Sequence, residues 1–135
     1  MQVNSVRRAL LAVVVAMAIS LFAWCADATV PQSVEFRHVG DDSLSQKLAA
    51  AVEAAFKRSA DFRLSTGGAL VVTIMRNVEW EMVGKKTRAT YTVRFSSAEG
   101  REIATEKGSC WESALARCAA QIVKDAKTAA RKVPQ

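Results

Sequence analysis

One histidine and three cysteines in 135 residues leave little material for metal or thiol chemistry. His38 and the separated cysteines Cys25, Cys110 and Cys118 match no zinc-ligand spacing, so neither a metal nor another cofactor is expected. A cysteine nucleophile needs a base and an orienting group beside it, and His38 is the chain's one histidine, far from Cys110 in sequence. With 6 glycines and 2 prolines, the chain shows no low-complexity stretch, and it shows no internal repeat. Its basic residues are scattered without the interleaved aromatics on which bases stack, which argues against a nucleic-acid partner. Catalytic residues are therefore not expected, and the chain does not read as an enzyme.

What it does have is an N-terminal address. Arg7-Arg8 precede an apolar run from Ala9 to Ile19 that continues through Ser20 to Trp24 and closes on Ala26-Asp27-Ala28. Basic start, apolar core and small-residue exit, in that order, make residues 1–28 a secretion signal peptide cleaved after Ala28. An uncleaved anchor is the first alternative, since Ala9 to Ala26 approaches the roughly 17–25 residues that span a bilayer. Lipidation of Cys25 is the second, although Trp24 stands where a bacterial lipobox has a small residue. Ala9 also departs from a twin-arginine signal, which leaves general secretion. The expected location is periplasmic or secreted, or membrane-anchored if the leader is kept.

Residues 29–135 then form a single domain of 107 residues, enough for one two-layer core. Without Arg7, Arg8 and Asp27 it carries 17 basic and 12 acidic side chains, a net charge of +5. Such a surface favours encounters with anionic partners, either an envelope protein or an anionic membrane component.

The apolar periodicity gives the elements. Val34 and Phe36 alternate with Glu35 and Arg37 in a strand from Ser33 to Val39 that stops at Gly40. Asp41-Asp42-Ser43 offers capping oxygens, with Gln46 three residues after Ser43 as in a capping box. Leu44, Leu48, Val52, Ala55 and Phe56 follow at helical spacing, and Glu53 and Lys57 can pair one turn apart. Phe62 and Leu64 extend briefly before the break at Gly67-Gly68. One long strand is expected next, with Leu70, Val72, Ile74, Val78, Trp80 and Met82 on its apolar side. Gly84-Lys85-Lys86 turns the chain into a second strand, in which Ala89, Tyr91, Val93 and Phe95 oppose Arg88, Thr90, Thr92 and Arg94. Ser97 to Gly100 turns it again into a polar edge strand from Arg101 to Lys107 anchored by Ile103. A final helix opens at Gly108-Ser109 with Glu112 completing a second capping box. Trp111, Leu115, Cys118, Ile122 and Ala126 form its buried stripe, and Lys124, Lys127, Arg131 and Lys132 gather near its C-terminus.

The order strand, helix, three-strand meander, helix predicts an α+β two-layer sandwich, with two helices on one face of a four-stranded, mainly antiparallel sheet. A parallel pairing of the first two strands would make their crossover right-handed. The helix Ser43 to Ala60, the meander Leu70 to Lys107 and the Gly100 turn resemble small envelope modules of two kinds. One is the lipopolysaccharide-assembly lipoprotein, the other the N-terminal domain of the Tol-system propeller protein. The resemblance implies an envelope setting and transfers no functional residue.

Cys110 and Cys118 are an even pair in a compartment that permits disulfides. Eight residues apart on one helix they would be separated by about 12 Å of rise, whereas bonded cysteines need α-carbons within roughly 4.4–6.8 Å. They can bond only if the helix begins late, near Ser113; otherwise Cys118 packs as a small apolar residue. Asp41 and Asp42 read as helix caps, and Trp80 and Trp111 as core. Glu79 and Glu81 are expected to form a ladder of opposite charges with Arg88, Arg94 and Lys86 across the hairpin. The face carrying Thr73, Met75, Glu79, Glu81, Arg88, Thr90, Thr92 and Arg94 lies away from both helices, and antiparallel sheets commonly face water on one side. That face, or an exposed sheet edge, is the expected partner-binding surface of a non-enzymatic assembly or accessory factor. The alternative is a periplasmic immunity protein or an inhibitor of an exported toxin or enzyme.

Overall fold

The computed structural model describes residues 30–134, so the readings of residues 1–28 as a signal peptide and of Cys25 as a lipidation site lie outside them. The elements are β1 (Gln32–His38), α1 (Ser43–Arg58), β2 (Phe62–Leu64), β3 (Leu70–Ile74), β4 (Glu79–Val83), β5 (Lys86–Ser97), β6 (Glu102–Trp111), a 3-10 turn (Glu112–Ala114) and α2 (Leu115–Ala130). The α+β character holds. The sheet, however, has six strands and mixed pairing instead of four mainly antiparallel ones.

Strand β1 pairs in parallel with β2 on one side and with β3 on the other. Strand β5 organises the rest: β3 lies antiparallel to its residues 93–97 and β4 to its residues 86–90. β6 runs along it from Arg88 to Ser96. Because β6 fills one edge of β5, β3 and β4 share the other edge end to end. The expected long strand is thus two strands. Its alternation runs straight through the break because Ile74 opposes Val93 and Glu79 opposes Thr90, which puts two extra residues on the β3–β4 side and leaves every side chain on its original face.

The break is fastened to the start of α1. Asp42, not Ser43, is the N-cap, accepting from the backbone N–H of Ser45 at 2.7 Å. The buried Ser45 hydroxyl donates to Asp42 Oδ2 at 3.1 Å and accepts from Val78 N–H at 2.8 Å, while Asn77 Oδ1 accepts from Asp41 N–H at 3.1 Å. Gln46 reaches back to the Asp41 carbonyl at 2.9 Å, so the capping segment is used one residue earlier than its spelling suggests. Glu53 and Lys57 pair at 2.9 Å.

Both helices lie on one face of the sheet. Leu48, Val52 and Phe56 of α1 and Cys118, Ile122, Val123 and Ala126 of α2 share one buried cluster with Val34, Leu70, Val72, Ile74, Ala89, Tyr91, Val93 and Phe95 of the strands. Phe56 meets Phe62 edge to face at 5.4 Å between ring centres. The helices run in the same direction. Near their starts Lys47 lies 4.0 Å from Glu112, and near their ends Lys127 lies 2.7 Å from Asp61, three residues beyond α1.

The end of β6 departs from the sequence reading. Gly108, Ser109, Cys110 and Trp111 continue the strand instead of opening a helix, and α2 begins at Leu115 with no side-chain cap. The late start is the condition under which the cysteines can meet. Cys110 and Cys118 form a disulfide with α-carbons 5.7 Å apart, joining the last rungs of β6 to the first turn of α2. Trp111 is consequently a half-buried strand residue and not part of the helix stripe; Lys86 lies over its ring, 5.4 Å from the centre.

Candidate functional site

Strand parity assigns the sheet face opposite the helices. Residues of β5 with odd numbers enter the core, so Arg88, Thr90, Thr92 and Arg94 point the other way. The registers then set Glu81, Arg88 and Trp111 in one row, Glu79, Thr90 and Ser109 in the next, and Thr73, Arg94 and Thr105 further along.

This face is open over only part of its length. Along β3 and the end of β5, Thr73 is 9% exposed and Val71 and Ser96 are also buried. Thr73 sits between two arginines in register, Arg37 and Arg94. Arg94 is half-buried, and its Nε has no hydrogen-bond partner among the described residues. Met75, half-buried, falls in the break between β3 and β4. Glu35, beside this closed part, accepts from Arg37 Nε at 2.7 Å and from Gly67 N–H at 2.9 Å; the arginine first, then the backbone donor, holds its carboxyl below the usual range.

Toward the β4–β5 hairpin the face is open. Glu79, Glu81 and Arg88 are exposed and Thr90 half-buried, and with Lys107 and Ser109 of β6 they border a shallow groove of about 460 Å³; Thr92, also half-buried, lies outside it. Arg88 Nε donates to Glu81 Oε1 at 2.7 Å. The expected charge ladder has this single rung: Glu79 faces Thr90, Lys86 faces Val83, and Arg94 lies beyond the end of β4. Lys107 and Ser109 were not expected here. Ser109 spells a helix cap, and nothing local shows that β6 runs on to Trp111.

The same hairpin corrects the reading of Trp80. Its position opposite Ala89 does place it on the core side, yet Trp80 is 66% exposed while Ala89 is wholly buried. The apolar side of the hairpin extends past the starts of the helices, leaving Trp80 and Met82 exposed, while Val83, also exposed, lies on the other side opposite Lys86. A tight two-residue turn, Gly84-Lys85, closes it; glycine leads with φ 63°, a conformation that suits the first turn position of this hairpin type.

The other singled-out residues are accounted for locally. His38 is exposed, stacks on Phe36 at 6.3 Å and has Nδ1 3.2 Å from the Gly40 carbonyl. Asp42 caps α1, and Asp41 supplies the backbone carbonyl to Gln46. Among the described residues no group of three or more His, Cys, Asp or Glu side chains is placed to hold a metal. Among them, too, no helix is long and apolar enough to cross a membrane.

No protein-family model matches the sequence, and none of the curated proteins matches it. Solved structures do. A DUF330-family protein from Xanthomonas campestris superposes with a TM-score of 0.60 at 13% identity, covering 82% of this chain and 91% of that one. The likeness is one of fold. A single-substitution variant of PelC from Paraburkholderia phytofirmans, a dodecamer, follows at TM-score 0.51 and 10% identity, covering 71% and 88%. A minor lipoprotein from Acinetobacter baumannii reaches only 0.48 at 14% identity, covering 78% and 96%. The two-layer α+β arrangement is therefore shared with known proteins, and at these identities the sharing extends to architecture alone.

Proposed function

We propose that the protein is an exported, non-enzymatic component of the cell envelope that binds a macromolecular partner, as an assembly or accessory factor. Binding uses the open part of the sheet face beside the β4–β5 hairpin and the adjoining edge of β6. The compartment rests on the leader read in residues 1–28. The binding surface rests on one observation: the helices cover the opposite face of the sheet, and the groove bordered by Glu79, Glu81, Arg88, Thr90, Lys107 and Ser109 is left accessible on a firmly paired three-strand platform. Exposed charges of both signs with hydroxyls between them suit a polar protein surface of complementary charge. Among the described residues β6 pairs only with β5, so its outer edge can also accept a strand.

The test is site-specific photo-crosslinking in the source cells, with the reactive side chain at Thr90 or Ser109 and, as control, at the exposed Ala50 on α1. A discrete adduct from the two sheet positions, absent from Ala50 and lost when Arg88→Glu is added, is the expected result. Correctly exported and folded protein that gives no adduct at Thr90 or Ser109 would overturn the proposal.

A further inference from the structure

We propose a second binding surface at the opposite pole: the end where the chain enters the domain docks on the anionic phospholipid headgroups of a membrane. Asp61 marks this pole. Its carbonyl accepts from Gln32 N–H at 2.9 Å, at the start of β1, and its carboxylate holds Lys127 of α2 at 2.7 Å. Because the two helices are parallel, both end here and bring the exposed cations Lys57, Arg58, Lys127, Arg131 and Lys132 to this pole, with Arg63 of β2 nearby on the other face of the sheet, in register with Ser33. Lys57 and Lys127 are paired to Glu53 and Asp61, whereas Arg58, Arg63, Arg131 and Lys132 have no ion-pair partner among the described residues. The negative ends of the helix dipoles account for cations in a last turn, but not for Arg63 on a strand or Lys132 beyond α2.

The sequence just outside the described residues supplies the membrane. The apolar run ends at Ala26 and β1 begins at Gln32, leaving residues 27–31, which extend to about 18 Å at most. A retained leader would therefore be joined to the start of β1 by no more than this length of chain, and cleavage after Ala28 would leave a positive α-amino group three residues before Gln32 in the sequence. The groove beside the hairpin lies about 27 Å farther along β5, counted from Ser97 at this pole. This surface is independent of the partner groove, and either can fail without the other.

The test is co-sedimentation of the exported protein with vesicles of equal parts phosphatidylglycerol and phosphatidylethanolamine, against phosphatidylcholine vesicles. Two charge-matched variants are compared: Arg58→Glu with Arg131→Glu at this pole, and Lys85→Glu with Lys86→Glu at the hairpin. Retention on anionic vesicles alone is expected, falling as ionic strength rises and the screening length shortens from about 30 to 8 Å. The first variant should bind roughly tenfold more weakly and the second nearly as wild type. Arg58→Gln with Arg131→Gln, which adds no charge at a helix end, should show a smaller loss in the same direction. No retention of the wild type, or equal losses at the two poles, overturns the proposal.

Discussion

Tyr91 lies directly across the ladder from Gly108, and its ring occupies the space that a side chain at position 108 would need. Tyr91 is 2% exposed, so the ring has no free volume into which to retreat. Gly108→Ala should therefore cost about 1–3 kcal/mol, the range for forcing an extra carbon into a packed site. Urea unfolding measures it; an unchanged midpoint would show that the ring can move aside.

The same burial, followed by the nearby carboxylates of Asp125 and Glu106, raises the Tyr91 phenol from its ordinary value of 10.0 to about 12. The neutral phenol is favoured in the folded state, so this contribution is complete below pH 10 and is lost as the pH climbs toward 12. Tyr91 is the chain's single tyrosine, so phenolate absorbance reports it alone. Ionisation near the ordinary value while the protein stays folded would contradict the burial argument.

Leu48 and Trp80 should separate under alanine substitution. Leu48 is fully buried between the helices and the sheet, and Leu48→Ala should cost about 2–5 kcal/mol. Trp80→Ala removes a larger side chain that is mostly in water, and should change stability by about 0.5 kcal/mol or less. Thermal melting of the two variants checks the contrast.

Reducing the Cys110–Cys118 bond should lower stability by roughly 2–3 kcal/mol, the loop-entropy value for a short closed loop. The paired Cys110→Ser, Cys118→Ser variant should unfold at lower denaturant and become indifferent to reductant. Continued sensitivity of that variant to reductant would place the effect elsewhere.

Much of this architecture is legible in the sequence because its faces differ sharply. In β5 one side is Ala89, Tyr91, Val93 and Phe95 and the other is charged or hydroxylated, so strand, register and outward face follow together. The same parity sets Glu79 opposite Thr90 and Glu81 opposite Arg88. Three matters were settled by tertiary contacts that local pattern does not carry. The β3–β4 break is silent because the alternation continues through it. Ser109 and Glu112 spell a helix start, but pairing with β5 keeps the chain extended until Trp111. Trp80 has the parity of a core residue; its exposure depends on where the helices stop, which its neighbours in sequence do not record.

The break at Met75 to Val78 behaves like a reading frame. Its two surplus residues are an even number, so β4 keeps the phase of β3 and presents Trp80 and Met82 on the core side with Glu79 and Glu81 on the open side. Removing or adding one residue there would exchange the two sets, turning the carboxylates inward and the tryptophan onto the groove. A change of two residues would leave both faces in place. Natural variation in the length of this connection should therefore come in pairs.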